Sequence, residues 1–369
     1  MKIFVSGICG FVGSELALGL RSAGHEVCGC DNFSRPGSEL NQARLEAVGV
    51  EFWRGDVRFE KDLERATGID WVIDAAANPS VLAGVDGKTT SRELLEHNLW
   101  GTVNLLEVCK REGAGLILLS TSRVYSIEAL CALPVREKNG AFVLEERGSH
   151  SGLGGITEDF PTNAPISLYG ASKLASEQIA LEYGSAFSFP VWVNRCGVMA
   201  GAGQFGKPDQ GIFSYWIHSW ARKAPLKYIG FGGTGHQVRD CLHPEDLLSL
   251  VIKQMEAGES KETPRDRRLE IGDLRSGAGM DRRIFNVGGG AASAMSLRQL
   301  SDWCAGEFGP LEVAIDLAPR PFDLPWVVLD SSQTEKVWNW KPGRNIQDIC
   351  AEIARHAREN PEWLAISRG

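Results

Sequence analysis

A parallel, doubly wound α/β sheet with a smaller α/β lobe covering one edge is the fold this sequence predicts, and three observations predict it. A short apolar run, Lys2 to Ser6, passes straight into Gly7-Ile8-Cys9-Gly10-Phe11-Val12-Gly13 and then into a helical pattern. β-forming and helical runs then alternate through the first half of the chain, the signature of parallel strands joined by right-handed crossovers. Finally, Asp31 ends the second strand at about the distance, ~20 residues past the glycines, at which an acid meets an adenosine ribose.

The elements follow in order. Gly7 allows the tight turn, Gly10 lets backbone approach a pyrophosphate, and Gly13 lets the helix pack on the strand. The helix N-terminus, at Phe11 and Val12, turns free N–H groups and a partial positive charge toward phosphate. A second strand spans 25–30. The polar loop Asp31-Asn32-Phe33-Ser34-Arg35-Pro36-Gly37-Ser38 leads to a helix ending near Val48, and a third strand covers 51–54, before Gly55-Asp56-Val57. Asp31 favours NAD, because its charge repels a 2′-phosphate, whereas Arg35 is placed to hold one; Asp31 weighs more. The fourth strand, 70–74, runs into Ala75, Ala76 and Ala77, small enough for backbone to pass close to a flat ring. A long amphipathic helix covers 91–111 and a fifth strand 115–119. The stretch 126–160, with Pro134, several glycines and no steady period, reads as a long ordered loop, a lid or an oligomer contact. A helix over 167–183 and a strand over 190–195 complete a dinucleotide-binding domain, 1–195. Residues 196–369 form the covering lobe, with 236–255 and 283–289 returning to the sheet. The charged, glycine-rich stretch 256–283 reads as a mobile surface loop.

Composition limits the function classes. The 369 residues are 43% hydrophobic and 23% charged, as in an ordinary globular chain. A net charge of −8 argues against general nucleic-acid or anionic-membrane binding, so an anionic substrate needs local arginines. Nine cysteines, an odd number without a C-x-x-C pair, read as reduced thiols in a cytoplasmic protein. The seven histidines lack ligand spacing, so no metal site is expected, nor is a signal peptide or membrane span.

Tyr169 and Lys173 stand four residues apart on a helix and project from one face. An ammonium beside a phenol favours the phenolate and lowers its pKa from about 10, which would let Tyr169 act as a base near neutrality. Lys173 can also hold a nicotinamide ribose.

The spacing G-x-x-G-x-x-G resembles the short-chain dehydrogenase/reductase superfamily, and Asn98-Leu99-Trp100-Gly101-Thr102-Val103-Asn104-Leu105-Leu106-Glu107 resembles the N-x-x-G-T-x-N-L-L-E helix of its extended branch. The resemblance implies a Rossmann fold, NAD as cofactor, Asp56 beside the adenine, and a catalytic hydroxyl at Thr121 before Val124-Tyr125; Ser120 or Ser122 would serve if the register slips by one. The implied cofactor residues are Gly7, Gly10, Phe11, Val12, Asp31, Asn32, Ser34, Arg35, Asp56, Val57, Ala75, Ala76, Ala77, Asn98, Tyr169 and Lys173. Dehydratases of this family carry T-D-E where this chain has Thr121-Ser122-Arg123, so dehydration lacks its proton donor.

The second half resembles nucleotide-sugar enzymes. Gly235 to Asp246 matches G-x-Q-x-R-D-x-x-H-x-x-D, implying Arg239 on a diphosphate, and Arg320-Pro321-Phe322-Asp323 matches an R-x-x-D pair, implying Arg320 on phosphate and Asp323 on the nucleoside ribose. Residues Asn194 to Gly201, Gln204-Phe205 and Asp209-Gln210-Gly211 resemble CDP-paratose (CDP-tyvelose) 2-epimerases, as do 31–37 and the long insert before Tyr169. This implies Ser122, Arg123, Asn194, Gln204 and Gln210 near the substrate. The expected reaction is NAD-dependent epimerisation of a nucleotide-diphosphate sugar, a CDP-sugar favoured, by a homodimer or homotetramer. A 4-epimerase, a net reductase or dehydrogenase, and a non-enzymatic NAD sensor are the alternatives. The departures at 74–78 and 119–123 lie near the sugar and leave its identity open.

Overall fold

The computed structural model describes residues 1–145, 151–152, 154–259 and 282–368. The first half runs β1 (Lys2–Ser6), α1 (Phe11–Ser22), β2 (Glu26–Asp31), α2 (Asn41–Ala47), β3 (Glu51–Arg54), β4 (Trp71–Asp74), α3 (Ser91–Leu95), α4 (Gly101–Glu112) and β5 (Gly115–Thr121). A crossover with α5 (Ile127–Cys131), β6 (Val135–Lys138), β7 (Ala141–Leu144), β8 (Ser151–Gly152) and β9 (Gly155–Ile156) leads to α6 (Ser167–Phe187) and β10 (Val191–Cys196). Then come β11 (Val198–Met199), α7 (Ile212–Ala221), β12 (Lys227–Ile229), β13 (Val238–Leu242), α8 (Pro244–Glu259), β14 (Ile284–Val287), β15 (Ala294–Ser296), α9 (Leu297–Phe308), β16 (Ala314–Asp316), β17 (Trp326–Val327), α10 (Ser332–Trp338), α11 (Ile346–Glu359) and α12 (Trp363–Arg368).

Seven strands form one sheet in the order β14-β10-β5-β4-β1-β2-β3, every neighbouring pair parallel. Parallel sheets are buried on both faces, which is why the central strands read as continuous apolar runs. Ile3 and Val5 pack with α1 and α8 on one face; Phe4, Val72 and Leu116 pack with α4 and α6 on the other. Chain order reverses between β1 and β4, so the crevice for a ligand opens beyond their carboxyl ends.

Three expectations change. The strand at 238–242 does not return to the main sheet: β14 holds the outer edge of β10, and β13 instead pairs with β11, β15 and β17 in a second sheet. What returns is α8, whose Leu247, Leu250, Val251 and Met255 join the core under α1. Gly19 permits the approach, since a Cβ there would lie 2.1 Å from Leu248. The strand expected within 283–289 is β14 and does join the sheet. Second, the insert is not a plain loop: β6 and β7 form an antiparallel hairpin, too short and too exposed to show a period in sequence. The hairpin docks on the lobe, where the Phe142 N–H donates to the His236 carbonyl at 2.9 Å and the Ser296 hydroxyl to that of Gly140 at 2.7 Å. Third, the helix expected over 91–111 carries a π-helical turn at Glu96–Trp100 between α3 and α4. The surface loop expected over 256–283 lies mostly outside the described residues; 256–259 close α8.

Candidate active site

A cavity of about 670 Å³ opens at the carboxyl ends of β1, β2, β4 and β5 and extends under the lobe, within the size range of small-molecule sites. One end is a glycine cradle. Gly7 has φ +63°, and a Cβ on Gly13 would lie 2.2 Å from the Gly7 carbonyl oxygen, so neither accepts a side chain without rearrangement. The first turn of α1 holds no acid and no side-chain cap, which leaves the N–H groups at Phe11 and Val12 for an anion. Asp31 stands at the wall, its carboxylate accepting from the Cys9 N–H at 3.0 Å and the Phe33 N–H at 2.8 Å; burial pushes its pKa up and those bonds oppose the shift. Two carboxylate oxygens keep further lone pairs for ribose hydroxyls. These features fit an adenine dinucleotide.

Around the cradle the roles divide. Asn32 accepts from the Ser34 N–H and donates to Asp56 at 2.9 Å. Burial would raise the Asp56 carboxyl, but hydrogen bonds from Arg58 and Asn32 outweigh it and hold it at about 2. Val57 lines the cavity; Asp56 sits behind it. Arg35 lines the cavity too, but its guanidinium donates to the Phe205 carbonyl and, at 2.6 Å, to Gln210. Committed to these acceptors, it is not held open for a 2′-phosphate.

The other end carries hydroxyls. Ser6 accepts from the Ala75 and Ala76 N–H groups at 3.0 Å each, fixing the backbone of the alanines that line the wall with Ala77. Thr121, Ser122 and Tyr169 meet where β5 ends, with the Thr121 hydroxyl close enough to favour the Tyr169 phenolate. Ser120, one of the three hydroxyls left open by the sequence, is spent: it bonds to Glu177, itself paired with Arg195 at 2.7 Å. Tyr169, Lys173 and Glu177 repeat every four residues on α6 and all face inward. Lys173 is 2% exposed and lies behind the wall.

The expected lowering of the Tyr169 pKa is reversed. Burial pushes it up, and the Thr121 hydroxyl and the Arg123 charge only oppose that. The Lys173 charge bears instead on Cys196, whose thiol burial raises to about 12 against it.

Four expected ligand residues lie outside the cavity: Asp56 and Lys173, just behind its wall, and Asn98 and Asn194. Asn98, in the π-helical turn, accepts from the Asn78 N–H at 2.8 Å and donates to Ser172 at 3.2 Å, tying the loop after β4 to α6. Asn194 exchanges two amide hydrogen bonds with Gln254, each 2.9 Å, joining β10 to α8; fully buried and off the cavity wall, the amide is out of a substrate's reach.

On the lobe side, Arg239, Arg320 and Asp323 line the cavity, with Gln204 and Gln210, and Arg123 reaches it from the end of β5. Arg239 pairs with Asp323 at 3.3 Å. The segment from Gln204 to Gly211 crosses as a strap, held by Arg35 on one side and by Ser80, which donates to Asp209 at 2.8 Å, on the other. Sequence reasoning missed Ser80; its only signal was its place just past the alanines. Gln237 was also missed, although it lies in the quoted G-x-Q-x-R-D motif. Among the described residues no group of three or more His, Cys, Asp or Glu could hold a metal, and no helix is long and apolar enough to cross a membrane.

Comparisons with known proteins bear on the fold and the family. The CDP-paratose 2-epimerase of Salmonella typhi is 29% identical over 94% of this chain and 96% of its own length. The UDP-glucose 4-epimerase of Caenorhabditis elegans is 26% identical over 99% of this chain and 100% of its own. Among solved structures, the UDP-glucose 4-epimerase of Thermotoga maritima with UDP-glucose shares the fold at a TM-score of 0.74 and 20% identity, covering 98% and 99% of the two chains. The UDP-glucuronic acid 4-epimerase of Bacillus cereus, solved with UDP-glucuronic acid and NAD, does so at 0.72 and 24%, covering 97% and 99%. A family model described as NAD dependent epimerase/dehydratase matches residues 3–272, and the chain belongs to that NAD-dependent family.

Proposed function

We propose that this protein epimerises a nucleotide-diphosphate sugar through a transient keto-sugar, and that a CDP-paratose/tyvelose-type 2-epimerisation is its reaction. The observation that carries the reading is that Thr121 and Tyr169 line one cavity with both the glycine cradle and the arginines of the lobe. As phenolate, Tyr169 takes the proton of a sugar hydroxyl, and the Thr121 hydroxyl donates to the same oxygen, holding it for the transfer. NAD, which the glycine turn and Asp31 would hold, would supply the hydride acceptor for that carbon and the donor that restores it on the other face. Tyr169 then gives its proton back to the sugar oxygen, so the residues end as they began.

The 2-position is supported by the segments at 194–201, 204–205 and 209–211 and by the similarity to the Salmonella typhi enzyme. A 4-epimerisation is the second reading, favoured by the similarity to UDP-glucose and UDP-glucuronate 4-epimerases. Product NMR on sugars deuterated at C2 or at C4 tests them: retained label at an inverted C2 supports the first, and inversion at C4 with C2 untouched overturns it. We further propose self-association through the α4–α6 face, supported by exposed Trp100, Leu168 and Phe187, and a cytoplasmic setting, supported by nine free thiols of which eight are buried. Light scattering showing a monomer would overturn the former.

A further inference from the structure

We propose that Arg123 grips the sugar-side phosphate of the substrate and thereby positions the sugar against Tyr169. The proposal rests on the nucleotide-sugar reading above. Arg123 follows Thr121 by two residues at the end of β5 and lines the cavity together with Tyr169, Arg239, Arg320 and Asp323, whose charges all bear on it. Its Nη1 donates to the Phe322 carbonyl at 3.0 Å, the one acceptor its guanidinium has among the described residues. A guanidinium carries five N–H donors, so most of its capacity is left for a ligand.

The neighbouring charges decide which ligand group it takes. Arg239 is already occupied, by Asp323 at 3.3 Å and by the Val238 carbonyl at 2.7 Å. That pair is neutral. Arg320 has no carboxylate and no side-chain hydrogen bond among the described residues. The Asp323 charge also bears on Arg123, so one carboxylate serves three guanidiniums and two positive charges stay in excess, with Arg123 and Arg320 the two that no carboxylate pairs directly, which matches a diphosphate diester bearing one negative charge on each phosphorus. The two cations have separate anchors. Arg320 belongs to the lobe, with Asp323 and Gln237. Arg123 belongs to the sheet, next to the catalytic hydroxyls. The phosphate nearest the reacting sugar thus falls to Arg123 and the phosphate nearest the nucleoside to Arg320. Burial and the like charges of Arg239 and Arg320 push the Arg123 pKa down to about 9, a strain that an anion would relieve.

Calorimetric titration of the NAD-loaded protein with CDP and CMP, and with UDP and UMP, tests the assignment, because only the diphosphates present the sugar-side phosphate. Arg123→Met is expected to lose about tenfold to a hundredfold in diphosphate affinity while the monophosphate changes by less than about twofold, the scale of one charge-assisted contact. Arg123→Lys, which keeps the charge without the fork, is expected to fall between, and it serves if Arg123→Met does not fold. Equal losses for mono- and diphosphates, or no loss for either, would overturn the proposal. If the unaltered protein binds none of the four nucleotides, the nucleotide-sugar reading itself falls first.

Discussion

At the Tyr169 hydroxyl two influences compete. Desolvation disfavours the phenolate, while the Thr121 hydroxyl and the Arg123 charge favour it. Without cofactor, burial wins and the pKa lies above the ordinary value of about 10. A positive nicotinamide ring in the same cavity would add a second cation and pull it down. The expected outcome is that phenolate absorbance, taken as wild type minus Tyr169→Phe, titrates above 10 in cofactor-free protein and at a lower pH once NAD is added. An unchanged midpoint would show that the ring does not sit against Tyr169. The sign for catalysis follows: the phenolate is the base, so kcat/KM rises with pH until the group is ionised. Tyr169→Phe should reduce kcat about 10²- to 10⁴-fold with NAD still bound, as a tryptophan-quenching titration would report. The tyrosine–lysine pair was legible because four-residue spacing on a helix is a local rule. The direction of the pKa was not, because it depends on how deeply α6 packs and on where Lys173 points. Asn194 was misassigned for the same reason: its motif is local, but its partner Gln254 is 60 positions away in sequence.

Along α6 the inward face does two jobs. Its first part presents Tyr169 to the cavity; two turns later Glu177 receives the Ser120 hydroxyl and forks with Arg195 on β10. The Arg195 guanidinium also reaches the Tyr125 hydroxyl at 3.3 Å, so the ends of β5 and β10 and the helix share one buried network. Removing one member leaves the other charge buried and unpaired. Glu177→Gln or Arg195→Met should therefore each lower unfolding stability by about 3–5 kcal/mol in urea titrations, and replacing both by apolar residues should cost less than the sum. Additive losses would mean that the two do not act as a pair. The strap makes a second prediction at this scale. Arg35→Ala frees the Phe205 carbonyl and Gln210 and should weaken nucleotide-sugar binding severalfold without raising the preference for NADP, because Arg35 serves the strap; improved NADP use would contradict that role. Strand and helix bounds in the first half were readable since each strand is a continuous buried run. The insert hairpin and the partners of β13 were not, for both are decided by which sheet edge remains vacant after the long parallel sheet has formed.

Across the molecule the sheet and the lobe meet in a polar knot around Glu352 on α11. Its carboxylate accepts from the Ala202 N–H at 3.1 Å, pairs with Arg344 at 2.7 Å, and meets His243, the residue before α8, at 3.2 Å. Ala202 leads into the strap, and a Cβ on Gly201 would touch both His243 and Phe11 at the start of α1, so the knot lies directly behind the cavity. Burial would raise the Glu352 carboxyl, but the His243 hydrogen bond and the surrounding donors and cations overcome it and hold it at about 2. An acid whose folded pKa lies below its unfolded value contributes stability that is complete above the unfolded value, about 4.5, and is lost as pH falls toward 2. The shift is worth roughly 3 kcal/mol at most, enough to dominate the acid limb of an ordinary domain. Thermal denaturation between pH 6 and pH 3 should therefore fall steeply for the wild type and less steeply for Glu352→Gln, which begins lower at pH 6. Saturating NAD, binding on the cavity side of the same junction, should raise the midpoint of both proteins, through about 2.7 kcal/mol of added stability at a hundred times Kd. If the two proteins lost stability in parallel as pH fell, the knot would carry no pH-dependent share of the contact between sheet and lobe, and acid lability would have to reside in another depressed carboxylate, of which Asp56 beside the cradle is the next strongest.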